Sequence, residues 1–173
     1  MAVAFKKVET PEEMETIAQI AEPIWHATYD TLTSRAATDY MIEQFQSVPA
    51  IRRQLAQEGY VYYLMLLEGE AAGFIGLVPH KEGKMFLSKL YVAERYRGMG
   101  LPRAAFDFIA ELCTLEGLDK IYLTVNKRNR HAIDVYKHFG FYEIDAVVTD
   151  IGCGYVMDDY ILQKDVCGPK TED

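Results

Sequence analysis

An apolar strand, Leu90-Tyr91-Val92, runs through Ala93-Glu94-Arg95-Tyr96-Arg97 into Gly98-Met99-Gly100-Leu101. Whatever the chain folds into must turn a strand into a helix across two glycines and a pair of arginines. The first four N–H groups of a helix have no intrahelical partner, and with the helix dipole they attract anions. Glycine at 98 and 100 lets the main chain come close to a ligand and permits positive φ. Arg95 and Arg97 add guanidinium forks suited to phosphate oxygens. The helix continues from about 100 to 116, where Leu101, Ala104, Ala105, Phe108, Ile109, Leu112 and Leu115 recur at helical spacing. The same stretch would also serve as an ordinary connection with two solvated arginines. Two other phosphate motifs are excluded. A dinucleotide fingerprint needs glycine at 103, which is Arg103, and a P-loop needs a Gly-Lys-Ser/Thr run that the chain lacks.

A second block follows: Asn126-Lys127-Arg128-Asn129-Arg130-His131-Ala132-Ile133-Asp134-Val135-Tyr136, then Gly140-Phe141. Asn129 and Tyr136 lie about two helical turns apart and so share a face. A tyrosine titrates near 10 and can act as a proton donor at neutral pH. Tyr136 could equally be a packing residue in a chain with 12 tyrosines, and Asn129 could serve as a helix N-cap.

In these two blocks the chain resembles the GNAT superfamily of N-acetyltransferases. The family signature Arg/Gln-x-x-Gly-x-Gly/Ala is matched by Arg95-Tyr96-Arg97-Gly98-Met99-Gly100, and Asn-x-x-Ala-x-x-x-Tyr followed by Gly-Phe by Asn129, Ala132, Tyr136, Gly140 and Phe141. The resemblance implies acetyl-CoA as cofactor. It implies main-chain pairing of Leu90, Tyr91 and Val92 with the pantetheine arm, and amides from Arg97 through Gly98, Met99, Gly100 and Leu101 to Pro102 around the pyrophosphate. It further implies a contact of Asn129 near the thioester, Tyr136 as the acid that protonates the thiolate, and a main-chain N–H near Leu90 for the oxyanion. Pro102 departs from the small residue common there; it is tolerated in a first helical turn but supplies no N–H.

Composition fits a globular chain, with 50% hydrophobic and 12% aromatic residues over 173 positions, and predicts one domain spanning 1–173. No apolar run is long enough to span a membrane, and no long apolar stretch follows the N-terminal lysines as a signal peptide would require. A net charge of −8 argues against general nucleic-acid binding and suits a cationic acceptor. Arg95, Arg97, Lys127, Arg128 and Arg130 still supply a local basic patch. Cys113, Cys153 and Cys167 have no metal or disulfide spacing and fit a reducing, cytoplasmic setting. No histidine pair has metal-ligand spacing.

The pattern predicts a strand at Phe5 to Val8 and a helix from the Thr10-Pro11-Glu12-Glu13 capping box to about Trp25. Helical regions follow at about 34–46 and 49–58. A hairpin joins Tyr60–Leu67 and Ala71–Pro79 through Glu68-Gly69-Glu70, and Lys81-Glu82-Gly83 leads to a strand from Met85 to Val92. After the glycine turn and its helix come a strand at Lys120–Val125 and a helix over 129–138 with Gly140 as C-cap. Strands at Phe141–Asp150 and Tyr155–Gln163 flank Gly152-Cys153-Gly154, and the tail from Lys164 is expected to fray. The order predicts an α/β (α+β) fold: a mixed, mostly antiparallel sheet of six to seven strands flanked by helices. The resemblance adds that the fourth and fifth strands splay apart to admit the cofactor arm.

The general base is not legible. Some family members carry a glutamate on the strand before the turn; Met85-Phe86-Leu87-Ser88-Lys89-Leu90 has no acid. Asp158, Asp159, Glu22 and His26 are candidates, acting through water. Trp25, Tyr29, Tyr40 and Tyr155 could offer aromatic faces to a cation, with Asp158 as a possible counter-charge. Ile24-Trp25-His26-Ala27-Thr28-Tyr29 and Asp158-Asp159-Tyr160 look similar to the polyamine (spermidine/spermine) branch. The acceptor is read as a small primary amine, first a polyamine; transfer to a protein or peptide amine, or a non-catalytic CoA-binding module, are the alternatives. Family members are frequently dimers, so a homodimer is the assembly to look for.

Overall fold

The computed structural model describes residues 2–166. Its elements run β1 (Val3–Lys7), α1 (Pro11–Tyr29), α2 (Arg35–Phe45), α3 (Val48–Gln57), β2 (Val61–Leu67), β3 (Glu70–Lys81) and β4 (Lys84–Val92), then a 3-10 turn at Glu94–Tyr96. The second half runs α4 (Leu101–Glu116), β5 (Lys120–Asn126), α5 (Arg130–His138), β6 (Tyr142–Gly152) and β7 (Tyr155–Asp165). The seven strands form one sheet in the order β1-β2-β3-β4-β5-β7-β6. Only the β4–β5 junction is parallel among these neighbours, so the mixed, mostly antiparallel sheet expected from sequence is the one found.

Two cores cover the two faces of the sheet. α4 and α5 pack Leu101, Ala105, Phe106, Ile109 and Ile133 against Met85, Leu87, Leu123 and Val125. α1, α2 and α3 pack Ile17, Trp25, Met41 and Ile51 against Tyr62, Leu64 and Phe74. The helix starts follow from local chemistry. Thr10, Ser34, Ser47 and Asn129 each accept a main-chain N–H in the first turn of their helices, and Thr10 with Glu13 closes a reciprocal capping box.

Several boundaries differ from expectation. α1 continues past Trp25 to Tyr29, through Pro23, because its apolar face continues: Tyr29 packs edge-on to Trp25 at 5.4 Å. The buried face of α4 is turned toward Phe106 and Cys113, and Leu115 is 82% exposed. Lys164 is not frayed but lies in β7, where Asp165 pairs with Lys120 at 2.5 Å. Phe141 precedes β6 as a buried residue of the turn after α5, with Phe139 as the cap. The expectations for Cys167 and for Gly168-Pro169 fall outside the described residues.

The junction of β4 and β5 creates the cleft. The two strands pair only at Met85–Ile121 and Phe86–Tyr122. Just beyond, the β3–β4 register slips: Leu77 faces Leu87 but Gly76 faces Lys89, leaving Ser88 as an extra residue. Such a bulge bends its strand and raises its twist, and here it coincides with the departure of β4 from β5. Gly73 allows the close β3–β4 approach at the far end, where an added Cβ would lie 2.4 Å from the Tyr91 carbonyl oxygen.

Candidate active site

The splay leaves a cleft of about 600 Å³, walled by β4 on one side and by β5, β7 and the start of α5 on the other. Along it the β5-facing main chain of Leu87 to Val92 has no strand partner, so its N–H and C=O groups are free to pair with an extended ligand. Leu90, Tyr91 and Val92 all line it.

At one end lies the glycine turn. Gly98 and Gly100 have φ of 79° and 78°, and a Cβ added at either would meet open space. Gly100 is the N-cap of α4 and offers no side chain to cap it, unlike the four helices capped by Thr, Ser or Asn. The N–H groups of Gly98, Met99, Gly100 and Leu101 are therefore left for an outside acceptor; Pro102 contributes none, and the Arg97 N–H, expected in the same cradle, instead donates to Glu94 O at 3.2 Å within the 3-10 turn. Arg97, Gly98 and Pro102 line the cleft. Arg95 does not: its guanidinium bonds Glu70 at 3.1 Å and sits over the Tyr96 ring at 4.6 Å, tying the turn to the β2–β3 hairpin. Met99 is 48% exposed, and the Leu101 side chain is buried in the core.

On the opposite wall Asn129 caps α5 through Ala132 N at 3.3 Å and lines the cleft together with Tyr136. The Gly140-Phe141 pair explains how Tyr136 is held. The N–H of Phe141 donates to the Tyr136 carbonyl at 3.1 Å and that of Gly140 to Lys137 at 3.0 Å, a Schellman closure made possible by φ of 96° at Gly140. The Phe141 ring then packs edge-on to Tyr136 at 5.7 Å, and Phe106 does the same at 6.3 Å. Burial, with the neighbouring Tyr29 adding to it, raises the Tyr136 phenol well above its ordinary value, so it keeps its proton at any working pH.

Trp25 and Tyr29, from the end of α1, line the cleft as expected for an aromatic acceptor wall. The Tyr29 and Tyr91 hydroxyls lie 3.3 Å apart. Tyr40 and Tyr155 pack against each other in a tilted arrangement, ring centres 5.3 Å apart, outside the cleft, and Tyr40 donates to the Ile151 carbonyl at 2.6 Å. Asp158 is not brought into the cleft either; it pairs with Lys127 at 3.0 Å. Glu22 is exposed. His26 has both ring nitrogens engaged, by Asp30 at 2.9 Å and Asp39 at 3.1 Å. Asp159 alone of the proposed bases lines the cleft, 4% exposed, and burial beside Asp158 raises its carboxyl to about 6, with Lys127 opposing.

Lys89, which the sequence reading passed over, is a buried cation of the cleft wall. It is 5% exposed, and its ammonium donates to Phe45 O at 2.5 Å, Tyr62 Oη at 2.6 Å and Gln54 Oε1 at 3.2 Å. Burial lowers it to about 7. Its alternating position gives no sign of this, because the Ser88 bulge resets which face of β4 it occupies.

A mixed sheet split by a parallel pair, with an uncapped helix start at the mouth of the split, defines an α/β protein built to hold an anionic, extended ligand. The chain belongs to the acetyltransferase (GNAT) family, whose profile matches residues 15–141. It is 37% identical over 82 residues to the spermine/spermidine N(1)-acetyltransferase of Bacillus subtilis strain 168, covering 43% of this chain and 54% of that protein. It is 28% identical over 95 residues to N-alpha-acetyltransferase 50 of Danio rerio, covering 53% of this chain and 56% of that protein. The chain thus spans about half the length of the curated relatives it matches. Its fold is similar to that of the PaiA N-acetyltransferase from Thermoplasma acidophilum, solved in complex with coenzyme A, with a TM-score of 0.78 at 21% identity over 95% of this chain and 99% of that one.

Proposed function

We propose that this protein is an acetyl-CoA-dependent N-acetyltransferase that moves an acetyl group to a small primary amine by direct attack within a ternary complex. The observation that carries the reading is the uncapped start of α4, with its two positive-φ glycines, at the mouth of a cleft whose far wall presents Tyr136. Acetyl-CoA is the cofactor of the family, and the cleft fits it: an anion cradle that side chains would fill, then an unpaired strand edge for an extended arm. When bound, it would supply an activated acetyl thioester. The amides from Gly98 to Leu101 and the Arg97 guanidinium would hold its phosphates, and the free edge of Leu90 to Val92 its arm. Arg95 acts one step removed, by fixing the turn. Asn129 borders the same wall. Tyr136, protonated and pinned by Phe141 and Phe106, would give its proton to the leaving sulfur.

Polyamines are the first acceptors on this reading, supported by the similarity to the Bacillus subtilis enzyme, by the acidic chain and by the aromatic wall of Trp25 and Tyr29. Transfer to a peptide amine is a second reading, favoured by the similarity to the Danio rerio protein. Among the described residues no helix is long and apolar enough to cross a membrane. A cytoplasmic location and a homodimer complete the proposal; the free thiols of Cys113 and Cys153 accord with the first.

The test is release of CoA thiol from acetyl-CoA in the presence of spermidine, spermine, simple monoamines and a short peptide. Release stimulated by one class identifies the acceptor. Binding of CoA without release across the panel would reduce the protein to a CoA-binding module.

A further inference from the structure

We infer that Asp159 is the acceptor end of the site: its carboxylate receives the ammonium group of the incoming amine and takes the proton that must leave before attack. This rests on the acetyltransferase reading above and adds to it the residue that activates the nucleophile.

The inference stands on placement. Asp159 is the sole carboxylate among the described residues that line the cleft. The strand parity of β7 decides this. Asp159 pairs with Asn126 at the end of β5, and directly opposed residues of an antiparallel pair share a face; Asn126 also lines the cleft. Asp158, one residue earlier, must point to the other face, where Lys127 takes it at 3.0 Å. Asp159 itself has no salt-bridge partner among the described residues. A carboxylate 4% exposed, without a paired cation and facing a cavity, is costly to a fold that does nothing with it. A cationic ligand would supply the missing partner.

The neighbours fit an ammonium. Tyr29 of α1 feels the Asp159 charge, and Trp25 lies beside Tyr29; both present aromatic surface to the same cleft. The other charged or titratable groups lining this space are Tyr60 just before β2, Lys89 and Tyr91 from β4, Arg97 from the glycine turn, and His131 and Tyr136 from α5; Lys127, held by Asp158, acts on Asp159 from outside the lining. None of them is an anion at neutral pH. His131 is exposed in the first turn of α5.

The proton balance closes. Asp159 takes one proton from the ammonium and later releases it to water. The freed lone pair forms the C–N bond to the acetyl carbon, and the C–S bond breaks with its electron pair leaving on sulfur. Tyr136 protonates that sulfur and is recharged by the second N–H proton. One amine cation and one thioester become one amide, one thiol and one released proton. With a carboxyl raised to about 6, Asp159 is ionised at neutral pH and still basic enough to serve.

The experiment compares wild type, Asp159→Asn, Asp158→Asn and His131→Gln. The readouts are kcat/KM for the best amine from pH 5 to 9, and melting with and without CoA. We expect wild-type kcat/KM to fall as pH drops through about 6, and Asp159→Asn to lower the plateau by about 10²-fold and to lose that limb. CoA should still raise its melting temperature, and Asp158→Asn should keep the limb. If Asp159→Asn transfers acetyl at the wild-type rate with the limb intact, or if the limb disappears in His131→Gln instead, the inference is overturned while the acetyltransferase reading stands. If Asp159→Asn fails to fold, Asp159→Glu decides: a displaced limb with partial activity supports the assignment, and an unchanged profile overturns it. A wild type that binds no CoA and releases no thiol overturns the underlying reading itself.

Discussion

Two buried ionisable side chains face the same cleft with opposite consequences for stability. The folded state lifts Asp159 from 3.8 to about 6, so it binds that proton more tightly than the unfolded chain. Stability is then lost as pH rises from about 4 to 6, by roughly 3 kcal/mol at 1.36 kcal/mol per pKa unit. Asp159→Asn should therefore melt higher than wild type above pH 6 while losing activity, a trade seen where function retains a strained group. Lys89 is lowered from 10.5 to about 7, so the unfolded chain holds the proton more tightly and stability rises with pH across that window. Its acceptors do not depend on it: Gln54 Nε2 also donates to Phe45 O at 3.0 Å, and Tyr62 Oη donates to Gln54 Oε1. Lys89→Met should thus be tolerated, and near pH 7 stabilised by on the order of 1–4 kcal/mol, with the advantage shrinking toward pH 10.5; thermal melts across pH check this. Tyr136→Phe should lower turnover by about 10²-fold with CoA affinity little changed, as steady-state kinetics and melting shifts would report; unchanged turnover would remove its role as acid.

The elements differ in how openly the sequence announces them. The cap residues Thr10 and Asn129, the Glu68-Gly69 hairpin and the two-glycine turn act locally, so their positions were readable. α4 stands apart because it lacks a capping side chain, and the signal for that was the glycine pair. Replacing Gly98 by Leu should weaken CoA binding at least tenfold, in isothermal titration, because a side chain would enter the cradle and φ of 79° disfavours any Cβ. What remained hidden depends on non-local pairing. Choosing between Asp158 and Asp159 requires the β5–β7 register, and a one-residue slip exchanges their faces. The reach of α1 past Trp25 to Tyr29 depends on Trp25 and Tyr29 finding Tyr91 across the fold. The bulge at Ser88, and with it the burial of Lys89, appears only when β3 is laid beside β4.

For the whole molecule, a ligand that binds only the folded chain adds stability by mass action. Acetyl-CoA at a hundred times its Kd should add about 2.7 kcal/mol, which for a chain of this size means a rise in Tm of roughly 5–10 °C; NAD and ATP should give no such shift. The sheet meanwhile crosses from β4 to β5 through just two residue pairs. Everything from β1 to β4 is thus joined in its main-chain bonding to everything from β5 to β7 by a seam as short as a single stitch, reinforced by the α4–α5 core. An extended molecule lying in the gap would lengthen that stitch. The missing stretch of sheet would then be made of cofactor when the protein is loaded and of water when it is not, so each departure of product would unpick part of the fold's own backbone lattice.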